Sequence, residues 1–266
     1  MVKYQMGKTG TKEWAKKNIN ISTGCSNRCL YCYAREMKSR LKQVKAENWG
    51  TEVIDEAKIA KSYRKVRNDD PSIYDVMTPT VHDLTPATIE GMVTVLKKTL
   101  DSDNSVVIVS KPRLDCIKRL VEELNPWMAQ IVFRFTITSK DDTLLKYWEP
   151  GAPGFDERLK SLEYAFNHGF TTSVSVEPCL NLPDVANLVG IIDDFVSETI
   201  WIGKMNKVKL RVAVNNEEDR RMVAALEAGQ TDAVVLEVYN SLKNHPKIRW
   251  KDSFKETLKK KYSIIV

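Results

Sequence analysis

Long hydrophobic runs are absent from this sequence of 266 residues. No stretch approaches the ~20 apolar residues that a membrane-spanning helix needs, and residues 1–8 lack the apolar core of a secretory signal. Glycine and proline are also few, at 11 and 10 residues, which argues against a fibrous or disordered chain. With 42% hydrophobic and 29% charged residues, the composition is that of an ordinary globular protein. We therefore expect a cytoplasmic protein without a membrane partner.

Cysteine is scarce as well, yet three of the five cysteines fall within eight residues. Because disulfides are disfavoured in the cytosol, clustered cysteines there usually bind metal or do redox chemistry. Cys25, Cys29 and Cys32 have the spacing Cys-x3-Cys-x2-Cys, which lets three thiolates converge on one metal centre with one coordination position open. A zinc site completed by His82 or Cys179 is an alternative, although zinc sites more often use Cys-x2-Cys pairs and four protein ligands. Reduced cysteines with only a packing role are a second alternative.

The chain alternates between predicted strands and helices. Apolar runs and period-two patterns predict six strands, at residues 18–22, 72–77, 105–109, 130–138, 171–176 and 199–203. Helical patterns separate them, including charged ones at residues 34–47 and 52–67. This alternation predicts a parallel α/β architecture, which right-handed crossovers would curl into a partial (β/α)6 TIM-type barrel.

The pattern changes after residue 206. We predict a core barrel over residues 1–206 and a small C-terminal α+β extension, residues 207–266, packed on that barrel. In the extension, alternating basic and apolar residues predict a strand over residues 207–212. Two helices are predicted at 217–228 and 231–242, and a turn with a short strand at 245–250.

Polar residues follow most of the predicted strands. In a parallel barrel, functional side chains gather on the loops at the carboxyl ends of the strands, and the cysteine loop follows the first strand. The residues placed similarly on other loops are His82, Asp83, Ser110, Lys111, Glu177, Lys204 and Asn206. Arg134 and Thr136, two apart on the fourth strand, share a face and could reach the same ligand.

The cysteine loop resembles a known signature. The pattern Cys25-x3-Cys29-x-Tyr31-Cys32 after a first strand is similar to that of radical S-adenosylmethionine (SAM) enzymes, which includes an aromatic residue before the last cysteine. Four segments more narrowly resemble the spore photoproduct lyase-like branch: Cys29-Leu30-Tyr31-Cys32-Tyr33-Ala34, Ser110-Lys111-Pro112-Arg113, Ser175-Val176-Glu177-Pro178 and Gly203-Lys204-Met205-Asn206. The superfamily resemblance covers roughly residues 18–206.

The resemblance implies both the cofactors and the chemistry. Cys25, Cys29 and Cys32 would hold three irons of a [4Fe-4S] cluster, and SAM would chelate the fourth. Reduction would cleave SAM to methionine and a 5′-deoxyadenosyl radical that abstracts hydrogen from a substrate. The expected SAM contacts are Tyr31, His82, Asp83, Ser110, Lys111, Arg134, Thr136, Glu177, Lys204 and Asn206. The Gly-Gly-Glu-like motif usual after the second strand is missing, and residues 78–83 stand in its place.

The resemblance also suggests a hydrogen-atom donor. Spore photoproduct lyase uses a cysteine for this step, but no cysteine occupies the matching place after the second strand. Cys179, at the predicted barrel rim, is the remaining candidate. A free cysteine is commonly just a small buried hydrophobe, which is the alternative.

The substrate and partners follow less directly. The resemblance and a net charge of +6 point to a nucleic-acid substrate, although the basic stretches at residues 8–17 and 255–261 also suit a solvated surface. Other radical SAM substrates are small molecules, peptides or tRNA bases. An interpretation from another class is a non-catalytic nucleic-acid-binding module with zinc or a cluster. For the enzyme we expect a monomer that receives electrons from a flavodoxin or ferredoxin.

Overall fold

The computed structural model describes residues 10–266. Its strands are β1 (Ala15–Asn18), β2 (Ser22–Thr23), β3 (Val53–Ile54), β4 (Tyr74–Thr78), β5 (Val106–Ser110), β6 (Ile131–Thr136), β7 (Thr171–Val176), β8 (Ile200–Ile202) and β9 (Ile248–Trp250). Its α-helices are α1 (Tyr33–Arg40), α2 (Glu56–Ala60), α3 (Ile89–Leu100), α4 (Leu114–Leu124), α5 (Asp142–Trp148), α6 (Phe155–Asn167), α7 (Val185–Ile192), α8 (Val208–Arg211), α9 (Glu217–Gly229), α10 (Asp232–Leu242) and α11 (Asp252–Tyr262).

Two sequence-based expectations involve residues that the structure does not describe. The expected absence of a secretory signal rests on residues 1–8, and the predicted barrel domain begins at residue 1; residues 1–9 lie outside the described part. Among residues 10–266, no helix is long and apolar enough to cross a membrane.

Seven strands form one curled parallel sheet in the order β1-β4-β5-β6-β7-β8-β9. Each neighbouring pair is parallel, and β5 and β6 are paired along their whole overlap, from Val106 opposite Ile131 to Ser110 opposite Phe135. Strands buried on both faces must be almost continuously apolar, as β5 and β6 are. The predicted α/β partial barrel is thus confirmed.

The two faces of the sheet have different surroundings. Phe133 and Phe135 of β6 point toward the helices and pack in the main core with residues of α3, α4 and α6. Val132 faces the inside of the curl, where it packs with Trp14 and Val107. This alternation follows from the two-residue period of a strand, and it brings the inward residues of several strands together.

The first strand of the sheet lies earlier than predicted. Ala15–Asn18 pairs with β4, whereas residues 18–22 run on beyond it. Ile19 and Ile21 are buried, as the alternation of polar and β-branched residues in this segment predicts. However, Ser22–Thr23 pairs with β3 in a separate two-stranded antiparallel sheet.

Other predicted elements need correction. The predicted strand at 207–212 is wrong, because this segment forms α8. Val208 and Val212 are both buried, and a spacing of four suits one helix face as well as one strand face. The predicted helix at 52–67 shrinks to α2, and the one predicted at 34–47 ends at Arg40.

The C-terminal part mixes confirmed and unexpected features. The two helices predicted there are α9 and α10. The short strand predicted near residue 250 is β9, and it extends the main sheet as a seventh parallel strand beside β8. The division of the chain at residue 206 stays a prediction.

Candidate active site

The cysteine loop joins β2 to α1 at the carboxyl-end side of the sheet. Cys32 is the N-cap of α1, and its sulfur accepts the Arg35 N–H at 3.5 Å. The Cys25 N–H donates to the Trp49 carbonyl at 2.8 Å. Gly24 has a φ of +93°, and a Cβ there would lie 2.0 Å from the Thr51 carbonyl oxygen, so only glycine fits this turn.

A second segment, at the end of α5, holds the cysteine loop from the other side. The Leu30 N–H donates to the Trp148 carbonyl at 2.9 Å, and the Gly151 N–H donates to the Asn27 carbonyl at 3.0 Å. The two backbones approach so closely that a Cβ on Gly151 would lie 2.1 Å from the Ser26 carbonyl oxygen. The conformation of the loop is therefore fixed by a segment more than 100 residues further along the chain.

Asp83 connects the cysteine loop to the end of β5. Its Oδ2 accepts from the Asn27 side chain at 2.9 Å and lies 3.9 Å from the Cys25 sulfur. Its Oδ1 accepts from the Ser110 hydroxyl at 3.0 Å and from the Lys111 N–H at 2.8 Å. Burial alone would raise the pKa of Asp83, but the Lys111 charge and these hydrogen bonds outweigh it and lower the pKa. Asp83 is thus ionised, and its hydrogen bonds hold the cysteine loop against the end of β5.

Lys111 lies beside Asp83 and Tyr31. Its ammonium nitrogen is 3.8 Å from Asp83 Oδ2 and 5.7 Å from the centre of the Tyr31 ring. Both distances exceed a hydrogen bond, so the donors of the ammonium remain for a ligand. Lys111 is only 9% exposed, which strengthens its interaction with any anion that binds there.

Beneath Tyr31 lies a buried ion pair that sequence reasoning missed. The Tyr31 hydroxyl donates to Glu149, which also accepts from Thr138 at 2.9 Å. Glu149 pairs with Arg158, and both side chains are 0% exposed. Burial would raise the pKa of Glu149, but the charges of Arg158 and Lys111 lower it overall.

A cavity of about 640 Å³ opens over this arrangement. Its wall includes the three clustered cysteines and most of the predicted contacts, namely Tyr31, His82, Asp83, Lys111, Thr136, Glu177, Lys204 and Asn206. It also includes side chains that the sequence did not single out, among them Tyr33, Thr80, Ser175, Arg211 and Lys251. Tyr33 directly follows Cys32, which is a signal that could have identified it.

Glu177 and Lys251 lie on the part of the wall formed by β7 and β9. Their charged atoms are 3.6 Å apart, and Lys251 also pairs with Glu13. The Lys251 ammonium lies 4.2 Å from the centre of the Trp14 ring. Burial raises the pKa of Glu177, more than Lys251 lowers it. This contact joins the segment before β1 to the segment after β9, the two edge strands of the sheet.

Two predicted SAM contacts have their polar atoms occupied by the protein. The Nε2 of His82 accepts the Ile21 N–H at 3.2 Å, and its Nδ1 lies 2.9 Å from the Asp83 carbonyl. His82 therefore lines the cavity with both ring nitrogens engaged. The Ser110 hydroxyl donates to Asp83 and accepts the Leu84 N–H at 2.9 Å, so it lies behind Asp83 rather than on the wall.

Arg134 and Cys179 lie apart from the cavity wall. Arg134 shares the inward face with Thr136, as predicted, but its guanidinium lies deeper, 4.6 Å from the centre of the Trp14 ring and 2.8 Å from Glu198. Cys179 is 1% exposed and packs in the main core. The geometry does not favour contact with SAM for Arg134 or hydrogen donation into the cavity for Cys179.

The assignment of the three clustered cysteines to an iron–sulfur cluster stays a prediction. All are free thiols. Burial raises the pKa of Cys25 to about 12 and that of Cys29 well above its ordinary value, but a thiol that binds metal loses its proton outright. Within residues 10–266, no group of three His, Cys, Asp or Glu side chains is arranged around a single metal ion. In a [4Fe-4S] cluster each thiolate would bind a different iron rather than share a single metal ion.

Comparisons with known proteins concern the sequence family and the fold. Residues 19–181 match the sequence model of the Radical SAM superfamily. The structure is similar to SuiB of Streptococcus suis bound to SAM, with 11% identity, a TM-score of 0.53 and coverage of 94% of this chain and 53% of SuiB. It is also similar to a variant of spore photoproduct lyase, with 12% identity, a TM-score of 0.53 and coverage of 94% and 87%. The chain thus spans about half the length of SuiB, and these likenesses show the fold. No curated protein sequence matches the chain.

Proposed function

This chain belongs to the radical SAM superfamily, and on that premise we propose that Cys25, Cys29 and Cys32 hold its [4Fe-4S] cluster and that the surrounding cavity binds SAM. The protein is a radical SAM enzyme and uses both cofactors. The observation that carries the assignment is the placement of three free thiols on the wall of one polar cavity at the carboxyl ends of the strands.

When bound to Cys25, Cys29 and Cys32 and to the surrounding cavity, the two cofactors would supply a 5′-deoxyadenosyl radical. The protein orients SAM and excludes water. Trp14, Met77 and Val109 form an apolar part of the cavity wall, which keeps a reactive species away from solvent.

Lys111 is the proposed partner of the SAM carboxylate. Its ammonium is buried and close to Cys29, and its donors are free of full hydrogen bonds to Asp83 or Tyr31. A charge-assisted hydrogen bond in such a site is stronger than one at the surface. Asp83 lies 3.8 Å from the Lys111 ammonium and accepts the Lys111 backbone N–H, which fixes the chain direction at the end of β5.

The rest of SAM meets polar and aromatic side chains. Thr136 and Glu177 also line the cavity, and their oxygens suit ribose hydroxyls. Tyr31 and Tyr33 flank Cys32 and offer ring faces or backbone to the adenine. Lys204 and Asn206 complete the wall on the side of β8.

A nucleic acid is the substrate that the charge distribution favours. The structural neighbours do not indicate one class of substrate. One spore photoproduct lyase structure holds a dinucleoside spore photoproduct, and one SuiB structure holds a precursor peptide. The net charge of +6 and the cavity residues Lys204, Arg211 and Lys251 suit a polyanion. The enzyme needs a reductant, for which we propose a flavodoxin or ferredoxin, and we propose that it acts as a monomer.

Anaerobic reconstitution tests the cofactor assignment. Protein loaded with iron and sulfide, reduced and supplied with SAM should release 5′-deoxyadenosine. Cys29→Ala should lose both the iron and the product, whereas Cys116→Ala should keep both, because Cys116 is buried in α4 away from the cavity. An intact cluster that never cleaves SAM would instead support a non-catalytic module. A colourless protein with bound zinc would overturn the cluster itself.

A further inference from the structure

A second cavity adjoins the first. It has a volume of about 690 Å³ and lies between the loop after β8 and the helices of the C-terminal part. The residues that its wall shares with the first cavity are Gly10, Lys204, Asn206, Arg211 and Asp252. A ligand that is too long for the first cavity can therefore extend into the second.

The shared wall is held rigidly from two sides. The Gln230 side chain accepts the Met205 N–H at 3.1 Å and donates to the Met205 carbonyl at 3.3 Å. The Lys204 N–H donates to Ser253 at 2.9 Å, and the Lys204 ammonium donates to Thr257 at 2.9 Å. Side chains on a loop fixed in this way are positioned before a ligand arrives.

The second cavity is rich in positive charge. Its basic side chains are Lys204, Lys207, Arg211, Lys260 and Lys261, and its acidic ones are Asp232, Asp252 and Glu256. Two of the acids already have partners among the outer lysines, since Lys261 lies 3.5 Å from Asp232 and Lys260 lies 3.1 Å from Glu256.

Lys207 and Arg211 have a different status. Within the described part of the chain, neither side chain forms an ion pair, and the Nε of Arg211 is buried without a hydrogen-bond partner. A buried polar group without a partner indicates a missing ligand or water. Lys207 also has a φ of +55°, a conformation that non-glycine residues adopt mostly where the surroundings demand it.

We infer that the second cavity binds a phosphate of a nucleic-acid substrate, with Arg211 and Lys207 as its ligands, while the nucleoside to be attacked occupies the first cavity. This inference rests on the proposed function and gives it a phosphate site. Guanidinium presents a planar fork of donors that matches phosphate oxygens. Arg211, which lines both cavities, lies where the backbone of such a substrate would pass.

Helix α8 offers a matched pair of variants for the test. Arg211 lines the cavities, whereas Lys209 on the same helix is exposed and lies outside both walls. The measurement is the fluorescence anisotropy of a labelled single-stranded DNA oligonucleotide with the reconstituted protein at graded salt. Arg211→Gln should weaken binding about tenfold, as the loss of a charge-assisted hydrogen bond does. It should also reduce the slope of log affinity against log salt by about 0.7 for one phosphate contact. Lys209→Gln should stay near wild type.

A charge reversal at Lys207 tests the phosphate site at a second position, independently of Arg211. Lys207 lines the second cavity but not the first. Lys207→Glu should weaken binding further than Arg211→Gln does, because it places a carboxylate where we infer the phosphate. Both variants should keep the wild-type circular dichroism spectrum.

The outcomes separate the inference from the proposed function. If wild-type protein cleaves SAM and binds the oligonucleotide, but the Arg211 and Lys209 variants have equal affinity and equal salt slope, the phosphate site is wrong while the enzyme assignment stands. If wild-type protein cleaves SAM without any oligonucleotide affinity at low salt, the phosphate site and the nucleic-acid substrate both fail. If wild-type protein forms no 5′-deoxyadenosine although its cluster is intact, the enzymatic proposal fails whatever the binding data give.

Discussion

The two walls of the main cavity are built in opposite ways. On the cysteine side, Asp83 and Glu149 are buried carboxylates whose hydrogen bonds and positive neighbours lower their pKa values. On the other side, burial raises the pKa of Glu177, and Arg211 keeps an unpartnered buried Nε. The carboxylates of the first wall have their partners within the protein, whereas the second wall includes a buried nitrogen that has none.

This difference indicates a division of labour. A cluster would stay bound through every turnover, and the wall around the cysteines is fixed by a network that spans the chain from Asn27 to Arg158. A substrate must enter and leave, and polar groups left without protein partners are available to it. Variants of the buried network on the first wall should therefore fail through folding and cluster loading, whereas variants of Lys111 or of the second wall should fail through ligand binding.

The largest effect is expected for the buried pair beneath Tyr31. Arg158→Met leaves Glu149 buried without its partner, which should reduce the free energy of unfolding by about 3–5 kcal/mol. Adding Glu149→Leu should recover part of the loss, because the uncompensated charge is removed. Lys160→Met, which breaks an exposed pair on the same helix, serves as the control. Chemical denaturation of the anaerobic protein gives these values, and equal stability of the Arg158 and Lys160 variants would show that the pair does not support this wall.

A glycine pair tests the close contact between the cysteine loop and the end of α5. Gly151→Ala places a methyl group against the Ser26 carbonyl and should cost about 1–3 kcal/mol with reduced iron content after reconstitution. At Gly190, inside α7, a Cβ meets nothing within 4 Å, so Gly190→Ala should stabilise by up to about 1 kcal/mol. Full iron loading in Gly151→Ala would mean that the loop tolerates displacement of its support.

A substitution of Glu177 tests the opposite wall. It should raise the free energy of unfolding, whereas Arg158→Met and Gly151→Ala should lower it. Because the pKa of Glu177 is raised in the folded protein, the folded state binds the proton more tightly than the unfolded chain does. Stability contributed by this group is therefore lost as the pH rises through that raised pKa. Glu177→Gln should raise the free energy of unfolding at pH 7 and converge with wild type in acid, where both states are protonated. Its affinity for SAM should fall. A variant less stable than wild type at pH 7 would contradict this account.

Local patterns in the sequence predicted much of the fold. The boundaries of β7 match the prediction because Thr171–Val176 consists of β-branched residues and serines and is bounded by Gly169 and Pro178. The cysteine loop was predicted because the cysteines follow directly on a predicted strand. Residues 207–212 were misread because Val208 and Val212 fit a strand face and a helix face equally well.

The network beneath the cluster could not be predicted in the same way. Tyr31 and Glu149 are 118 positions apart, and Glu149 lies in a segment whose proline and glycine residues indicate only a loop. Alternation placed Arg134 and Thr136 on one face but could not tell how deep each side chain lies. That depth depends on the curl of the whole sheet, which brings Trp14 against Arg134.

The central claim is that the cysteine-side wall binds SAM through Lys111, and titration of SAM followed by the electron paramagnetic resonance spectrum of the reduced cluster tests it most directly. Wild type and Arg211→Gln should show the spectral change at similar SAM concentrations. Lys111→Met should require roughly 10 to 100 times more SAM, which corresponds to the loss of a charge-assisted hydrogen bond of about 1.5–3 kcal/mol. An unchanged titration midpoint in Lys111→Met, with the cluster fully loaded, would contradict the account.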